Sequence, residues 1–420
     1  MLDLKFIREN KELVRQNIIN KNENSSIDNI ISLDERRRAI IQQVEQLKNQ
    51  RNVVTQEISR LKKEKLDAEE KIAAMKEVSD IIKSLDDELK DIQDKLESEL
   101  LKIPNMLDSS VPIGKSSEEN QVVRSWGVPS EKQTKNHLEI SKSLGILDFE
   151  RATKVTGSGF AYYIGKGAAL ERALINFMLD FHITNHNYTE LIPPLVVNPE
   201  SMKGTGQIPK LAEDMYFIEK DNLYLIPTAE VPITNYYAGE VLKGDELTKK
   251  FVGYTPCFRR EAGSYGKETR GFLRVHQFNK VELVKFSKPE DSFDELERLV
   301  AEVEKILQIL EIPYRVVLLC SGDTSFSSAK TYDLEVWSPG EQKWLEASSC
   351  SNFLDFQARR SNIRFKRTPN DKPEFLHTLN GSGLATSRLI VSIIEHYLSL
   401  IHISEPTRLL SISYAVFCLK

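Results

Sequence analysis

The sequence predicts an α+β protein in two parts: an N-terminal antiparallel helical coiled-coil arm, and a larger domain built on an antiparallel sheet flanked by helices. Three observations carry this. Residues from about 30 to 101 contain neither Gly nor Pro and are rich in Lys, Glu, Gln and Leu. Further along, short β-branched and aromatic runs alternate with amphipathic stretches. Two of those runs, near residues 251–261 and 271–286, are spaced as a hairpin, which favours antiparallel pairing with helices packed on the sheet.

Taken in order, Leu4 to Ile19 reads as a short amphipathic helix. In the region without Gly or Pro, apolar residues recur at spacings of three and four: Ile40, Val44, Leu47, then Val54, Ile58, Leu61. Arg51 stands where the next seam residue should be. After the charged KKEKLDAEEK the pattern resumes at Met75, Val78, Ile82, Leu85, Leu89, Ile92 and Leu96. A stripe this narrow is a coiled-coil seam. The charged interruption predicts a turn between two helices of about 30 residues, each roughly 45 Å long. Outer-face cations (Lys48, Arg51, Arg60, Lys62, Lys63, Lys65) suit phosphates, although such runs also describe a dimerising coil or a solvated face.

The arm ends at Pro104, and PNMLDSSVPIGKSSEEN reads as an irregular crossing. A helix is then expected at Ala168–His186, with strands near Glu190–Val197, Met215–Phe217 and Tyr224–Ile226. The hairpin comes next, followed by a helix at Ser292–Leu310. Strands near Tyr314–Leu319 and Thr331–Trp337 and a last helix near Leu384–Tyr397 complete the pattern. Neither a G-x-G-x-x-G turn nor a Walker P-loop is present.

The chain has 420 residues, enough for two or three domains, and a net charge of -5, so any nucleic-acid partner must meet a local basic face. Four scattered cysteines (Cys257, Cys320, Cys350, Cys418) argue against a disulfide framework or a Cys-rich zinc site. The start MLDLKFIREN lacks a secretory h-region, and no run of about 18 apolar residues occurs, so a cytoplasmic protein is expected.

Function concentrates in CFRREAGSYGKETRGFLRVHQF, which holds Arg259, Arg260, Arg270 and Arg274. Strand alternation puts Arg274, His276, Phe278, Lys280 and Glu282 on one face and Leu273, Val275, Val281 and Leu283 on the core face. Arg259 and Glu261 share a side of the first strand. Guanidinium forks bind phosphate bidentately, a ring or Arg plane stacks on a base, and a carboxylate holds Mg²⁺ or an exocyclic amine. Taken alone, the segment reads equally as a surface hairpin with structural ion pairs. Three further segments add to it. LYLIPTAEVPITNYY places Thr228 and Glu230 in a Pro-flanked turn. WLEASSCSNFLDFQARR places Glu346, Ser348 and Ser349 after a strand. LNGSGLATSRLIVSIIEHY is a Gly/Ser loop running into a helix that carries Arg388.

Together these segments resemble the three signature motifs of class II aminoacyl-tRNA synthetases, and specifically a bacterial-type seryl-tRNA synthetase. Motif 1 resembles the helix at Ala168–His186 with YTELIPPLVV. Motif 2 resembles FRREAGSYGKETRGFLRVHQFNKVE, and motif 3 GSGLATSRLIVSIIEH. The likeness runs from about residue 1 to Tyr397. It implies a helical tRNA-binding arm at 1–104, a class II catalytic domain at 105–397 and a homodimer. ATP and Mg²⁺ are the implied cofactors. L-serine and tRNA(Ser), with tRNA(Sec) a further candidate, are the implied substrates.

By similarity, the ATP site would comprise Arg259, Arg260, Glu261, Val275, His276, Gln277, Phe278, Glu346, Ala347, Ser348, Ser349 and Arg388. Arg259, Glu346 and Arg388 would be its catalytic members, Phe278 would stack on the adenine, and Glu346 and Ser349 would hold Mg²⁺. Thr228, Ala229, Glu230, Arg259, Glu282 and Ser382 would line the serine pocket. Either Glu230 or Glu282 can take the ammonium. The implied reaction is in-line attack of the serine carboxylate on the α-phosphorus, then transfer to the terminal adenosine of tRNA.

After Tyr397 the likeness stops. Residues 398–420, ending LSISYAVFCLK, read as foreign to the family, as a frameshift would produce, with a genuine divergent terminus as the alternative. Two other functions fit a class II core: an amino acid ligase acting on a carrier protein, and a paralogue that has lost its chemistry. The arm argues against the first. The intact Arg259, Glu261, Glu282, Glu346 and Arg388 argue against the second.

Overall fold

The computed structural model describes residues 1–262 and 271–398. Arg270 and its loop lie outside the described residues, as does the tail expected to be foreign, beyond residue 398. The chain divides into a helical unit, Leu2–Ile19 with Glu23–Pro104, and a larger unit, the one expected to be catalytic, that takes Met1, Asn20–Asn22 and the chain from Asn105 onward.

In the helical unit the expected N-terminal helix is two, α1 (Leu4–Glu9) and α2 (Lys11–Asn20). Asp3 caps α1, and Asn10 ends it by bonding its own amide side chain and backbone N–H to the Phe6 carbonyl. A short polar side chain that competes for backbone in this way favours a break. The coil is α3 (Asp28–Lys63) and α4 (Glu69–Leu100). Ile40, Val44, Ile82, Leu85 and Ile92 form its buried seam, with Leu47, Val78 and Leu89 partly buried beside them. Arg36 meets Glu88 at 2.8 Å and Lys71 meets Glu57 at 2.7 Å, a pairing that fits antiparallel helices. The turn between them passes through Lys65 at φ 57°.

The catalytic unit is built on an eight-stranded sheet among the described residues. Its strands are β1 (Gln121–Trp126), β2 (Thr189–Glu190), β3 (Lys249–Phe258), β4 (Gln277–Ser287), β5 (Tyr314–Leu318), β6 (Lys330–Ser338), β7 (Lys343–Asn352) and β8 (His377–Ala385). The order is β1-β5-β6-β7-β8-β4-β3-β2. Every pair is antiparallel except β2 with β3. The core is packed by α5 (Lys166–His186), α6 (Ser292–Ile309) and α7 (Thr386–Ile393), through buried residues such as Leu174, Met178, Leu299, Val303 and Ile390.

Four local expectations are corrected. The strand expected over Glu190–Val197 is two short ladders, Thr189–Glu190 and Val196–Val197, because Pro193 and Pro194 cannot donate to a ladder. The second hairpin strand starts at Gln277 rather than 271; the His276 N–H goes to the Gly159 carbonyl and so leaves the ladder. Glu346, Ser348 and Ser349 stand within β7 rather than after a strand. The LNGSG stretch, read as a loop, is the central strand β8. A Cβ on Gly381 would lie 2.8 Å from Cys350 Sγ and 3.1 Å from Leu299, so the glycine is what lets β7 and α6 approach. Gly and Asn have low strand propensity, which hid the element.

Candidate active site

The hairpin β3–β4 and the strands β7 and β8 are neighbours in the sheet, and together they open a cavity of about 450 Å³. That falls within the range of small-molecule sites, about 300–1,000 Å³. Of the residues singled out from the sequence, Thr228, Glu230, Arg259, Glu261, Val275, Phe278, Glu346, Ala347, Ser349, Ser382 and Arg388 line it. Val275, expected on the core face, is also buried; it precedes the ladder, so strand alternation does not apply to it. Six are not among the lining residues, Glu282 being one of them. Ala229 packs in a separate apolar cluster with Ile233 and Phe251. Arg260 and Gln277 are exposed. His276 turns its ring to Phe160 and pairs through Nδ1 with the Arg259 carbonyl. Ser348 donates to the Ser382 carbonyl at 2.6 Å.

Glu282 stands just behind the wall and organises one polar cluster. Thr228 Oγ1 donates to it at 2.8 Å, Asn380 Nδ2 at 3.3 Å, and Lys280 forms an ion pair with it. Both of its oxygens are therefore engaged. Glu230 opens a short helix (Glu230–Thr234), and Gln357 Nε2 donates to its Oε1 at 2.7 Å. Burial first, and the Glu282 charge second, push its carboxyl up to about 7. The sequence reading missed Lys280 as a site residue, as well as Asn380 and Gln357. For Lys280 the face alternation was a usable signal. Asn380 and Gln357 carried none, because one lies in the strand read as a loop and the other in a helix brought close only by the fold.

A second cluster holds the guanidinium groups. Arg388, in the first turn of α7, donates to the Glu346 carbonyl at 2.8 Å and meets its carboxylate at 3.2 Å. Arg274 meets Glu261 at 2.6 Å. Arg259 lines the same cavity. Its Nε donates to the Pro227 carbonyl, next to Thr228, and its guanidinium lies 5.2 Å over the Phe278 ring. Behind Glu346, Asp333 pairs across the ladder with Ser349. Its Oδ1 is buried with no hydrogen-bond partner among the described residues. Burial and then the Glu346 charge hold the Asp333 carboxyl well above the usual range.

An antiparallel sheet that presents an arginine-rich hairpin and a final Arg-bearing helix to one cavity defines the class II aminoacyl-tRNA synthetase core. The family model for that core, of the G, H, P, S and T type, matches residues 216–397. The seryl-tRNA synthetase N-terminal domain model matches residues 1–107. The chain is 56% identical over 404 residues to the serine–tRNA ligase of Chloroherpeton thalassium, covering 94% of this chain and 95% of that one. A seryl-tRNA synthetase from Pyrococcus horikoshii, solved in complex with ATP, superposes with a TM-score of 0.92 at 38% identity over 99% of this chain and 98% of its own. A cytoplasmic serine–tRNA ligase from Naegleria fowleri, solved in complex with AMP, gives 0.86 at 29% identity over 99% and 97%. The chain belongs to the seryl-tRNA synthetase family.

Proposed function

We propose that the cavity activates L-serine with ATP and that the chain then transfers the seryl group to the 3′-terminal adenosine of tRNA(Ser), the activity of the family to which it belongs. One observation carries the reading. A single cavity joins a guanidinium cluster suited to phosphates to a carboxylate cluster suited to a small amino acid, with Arg259 in the same lining. In this reading Arg259 and Arg388 neutralise the triphosphate, and Phe278 and Glu261 face the base. The protein forms no covalent bond; it aligns the serine carboxylate with the α-phosphorus and stabilises developing charge. The open edge of the pair between Arg388 and Glu346 suits exchange of partners, Arg388 to phosphate and Glu346 to Mg²⁺. Glu346 and Ser349 would hold that ion, and the unpartnered Asp333 Oδ1 behind them fits a site completed by a cation. When bound, Mg²⁺ supplies charge neutralisation on the phosphates.

Because Glu282 is already engaged by Thr228, Lys280 and Asn380, we assign the serine hydroxyl to that cluster and the ammonium to Glu230. A hydroxyl-bonding pocket of this kind rejects alanine by about 10⁴-fold, because its polar groups would be left unpaired. The helical unit is the tRNA-binding element, with exposed Lys62, Lys63 and Lys65 at its tip meeting phosphates. The catalytic unit forms a homodimer. All of β1, at one edge of the sheet, is exposed, with Val122, Val123 and Trp126 on it, and Ile192 of motif 1, just past β2 at the other edge, is 89% exposed; exposed apolar residues at the sheet edges suit a partner. Charging of tRNA(Sec) belongs to the same proposal. Among the described residues no helix is long and apolar enough to cross a membrane, which agrees with a cytoplasmic site of action.

The test is amino-acid-dependent ATP–pyrophosphate exchange with serine, threonine, alanine and glycine. Exchange with serine alone is expected. Exchange with none of them, or with another as efficiently, overturns the assignment.

A further inference from the structure

One wall of the cavity is formed by Ser325, Phe326 and Ser327, in a segment with no helix or strand. Its four consecutive carbonyls, from Ser325 to Ser328, need partners, and two distant side chains provide most of them. Lys21 Nζ donates to the Ser325 carbonyl at 2.7 Å, to Phe326 at 3.2 Å and to Ser328 at 2.7 Å. An ammonium has three donors and no acceptor, so three converging carbonyls satisfy it fully. That match explains how a lysine stands here at 5% exposure, since a buried charge is tolerated only when hydrogen-bonded. Asn105, 2% exposed, donates through Nδ2 to Ser327 at 2.9 Å and to Phe353, another wall residue, at 2.7 Å. Its backbone N–H takes the Phe326 carbonyl at 2.9 Å.

The placement of these two residues in the chain adds to the case. Asn20–Asn22 and Asn105 are the points at which the chain enters the catalytic unit from the helical one. Both points of entry are bonded to the same few residues of wall. The wall in turn connects to the carboxylate cluster. Gly206, at φ 88°, packs on Ser327 so closely that a Cβ there would lie 3.1 Å from the Ser327 Cβ. The preceding Thr205 carbonyl accepts from Gln357 Nε2, the same group that donates to Glu230.

We propose that Lys21, assisted by Asn105, is a positioning residue for the amino-acid end of the cavity: it fixes the Ser325–Ser328 wall and, through Gly206 and Gln357, the orientation of Glu230. The proposal rests on the reading of that end as the serine site. Lys21 touches no substrate, so its effect falls on serine and spares ATP.

The test is pyrophosphate exchange by the full chain and by Lys21→Met, with serine and ATP varied separately. The expected result is a rise of about tenfold or more in KM for serine with the KM for ATP within about twofold, because a lost positioning contact acts on the ligand it orients. A kcat loss with both KM values unchanged, or equal rises in both KM values, would show that the lysine only supports the fold, and would overturn the proposal. Should Lys21→Met fail to fold, Asn105→Ala leaves the ammonium with its three carbonyls and gives the same discrimination. If the parent chain is active and the variant matches it, the clamp alone falls. If the parent shows no serine-dependent exchange, the serine reading falls and takes the clamp with it.

Discussion

The helical unit and the catalytic unit solve opposite problems. The coil is held by one stripe of apolar residues repeated at local spacing, with most of its charges outside and paired along the surface; Asp34, buried against Arg8 and Arg37, is an exception. The catalytic unit buries its charges. Lys285, fully buried, meets Glu295 at 2.9 Å and Glu302 at 3.0 Å, and Lys280, Glu282 and Glu230 are buried at the cavity. Surface pairs contribute little and tolerate change, whereas a buried charge left without its partner costs several kcal/mol. The comparison predicts that substitution in the arm affects transfer to tRNA or nothing, and that substitution at the cavity affects adenylation first.

The largest break in that comparison should come from Arg259→Ala. Arg259 is half-buried and bonds a single carbonyl, so its loss leaves the sheet intact. Removing a group aimed at developing charge lowers rate by about 10²–10³-fold or more. Pyrophosphate exchange should fall by at least that factor with the thermal midpoint nearly unchanged. Full retained activity would overturn the role of the hairpin arginines. Gly381→Ala should come next, and through stability rather than chemistry. The new methyl would meet Cys350 Sγ and Leu299, and overpacking of this kind costs about 1–3 kcal/mol. Thermal denaturation checks it, and an unchanged midpoint would mean that β8 can shift away.

These two residues also show what was legible in the sequence. Arg259 was legible because four arginines within a short stretch are chemically conspicuous whatever the fold. The arm was legible because its period is local: Ile40, Val44, Ile82 and Ile92 declare a seam without reference to anything distant. Gly381 was misread because a strand buried along most of its length needs no alternation, and this glycine answers to α6 and β7, which lie apart from it in sequence. Asn380 and Gln357 escaped notice for the same reason: their roles exist only once β8 and the 356–361 helix face Glu282 and Glu230. Lys21 is further still from legibility, since nothing near it in the chain foretells three carbonyls from residues 325–328.

The tip of the coil sharpens the comparison from the other side. Replacing Lys62, Lys63 and Lys65 with Glu should leave exchange within about twofold while weakening tRNA charging by about tenfold or more at ordinary salt, with a shallower salt dependence. Equal losses in both assays would contradict a division of labour. At the cavity, Glu230 predicts a pH effect of similar size. Its folded value is raised from 4.5 to about 7, so the neutral acid is favoured in the empty site. The sign follows from linkage: stability is highest below about 4.5 and falls as pH rises through the window up to about 7, because the unfolded chain then binds fewer protons than the folded one. Serine binding runs the other way, since an ammonium needs the carboxylate. The KM for serine should rise by about tenfold per pH unit below about 7, and Glu230→Gln should raise KM and flatten that profile. A wild-type profile already flat across that range would remove Glu230 from ammonium recognition.

The smallest effect should be Arg36→Ala in the coil. Arg36 donates twice to Glu88, through Nε at 2.8 Å and through a terminal nitrogen at 3.0 Å, as good a geometry as a surface pair can have. Yet the side chains are 54% and 39% exposed, and water and salt screen them. Exposed pairs contribute about 0.2–1 kcal/mol, so the thermal midpoint should move by a degree or two at low salt, as expected for about 0.5 kcal/mol in a chain of this size. The shift should disappear at about 1 M salt, where screening acts within about 3 Å. A loss that persists at high salt would mean that the aliphatic stem of Arg36, packed along the seam, matters more than its charge. The arm would then depend on apolar cover in the same way as the catalytic unit, and the contrast between the two would narrow to where the charges are placed.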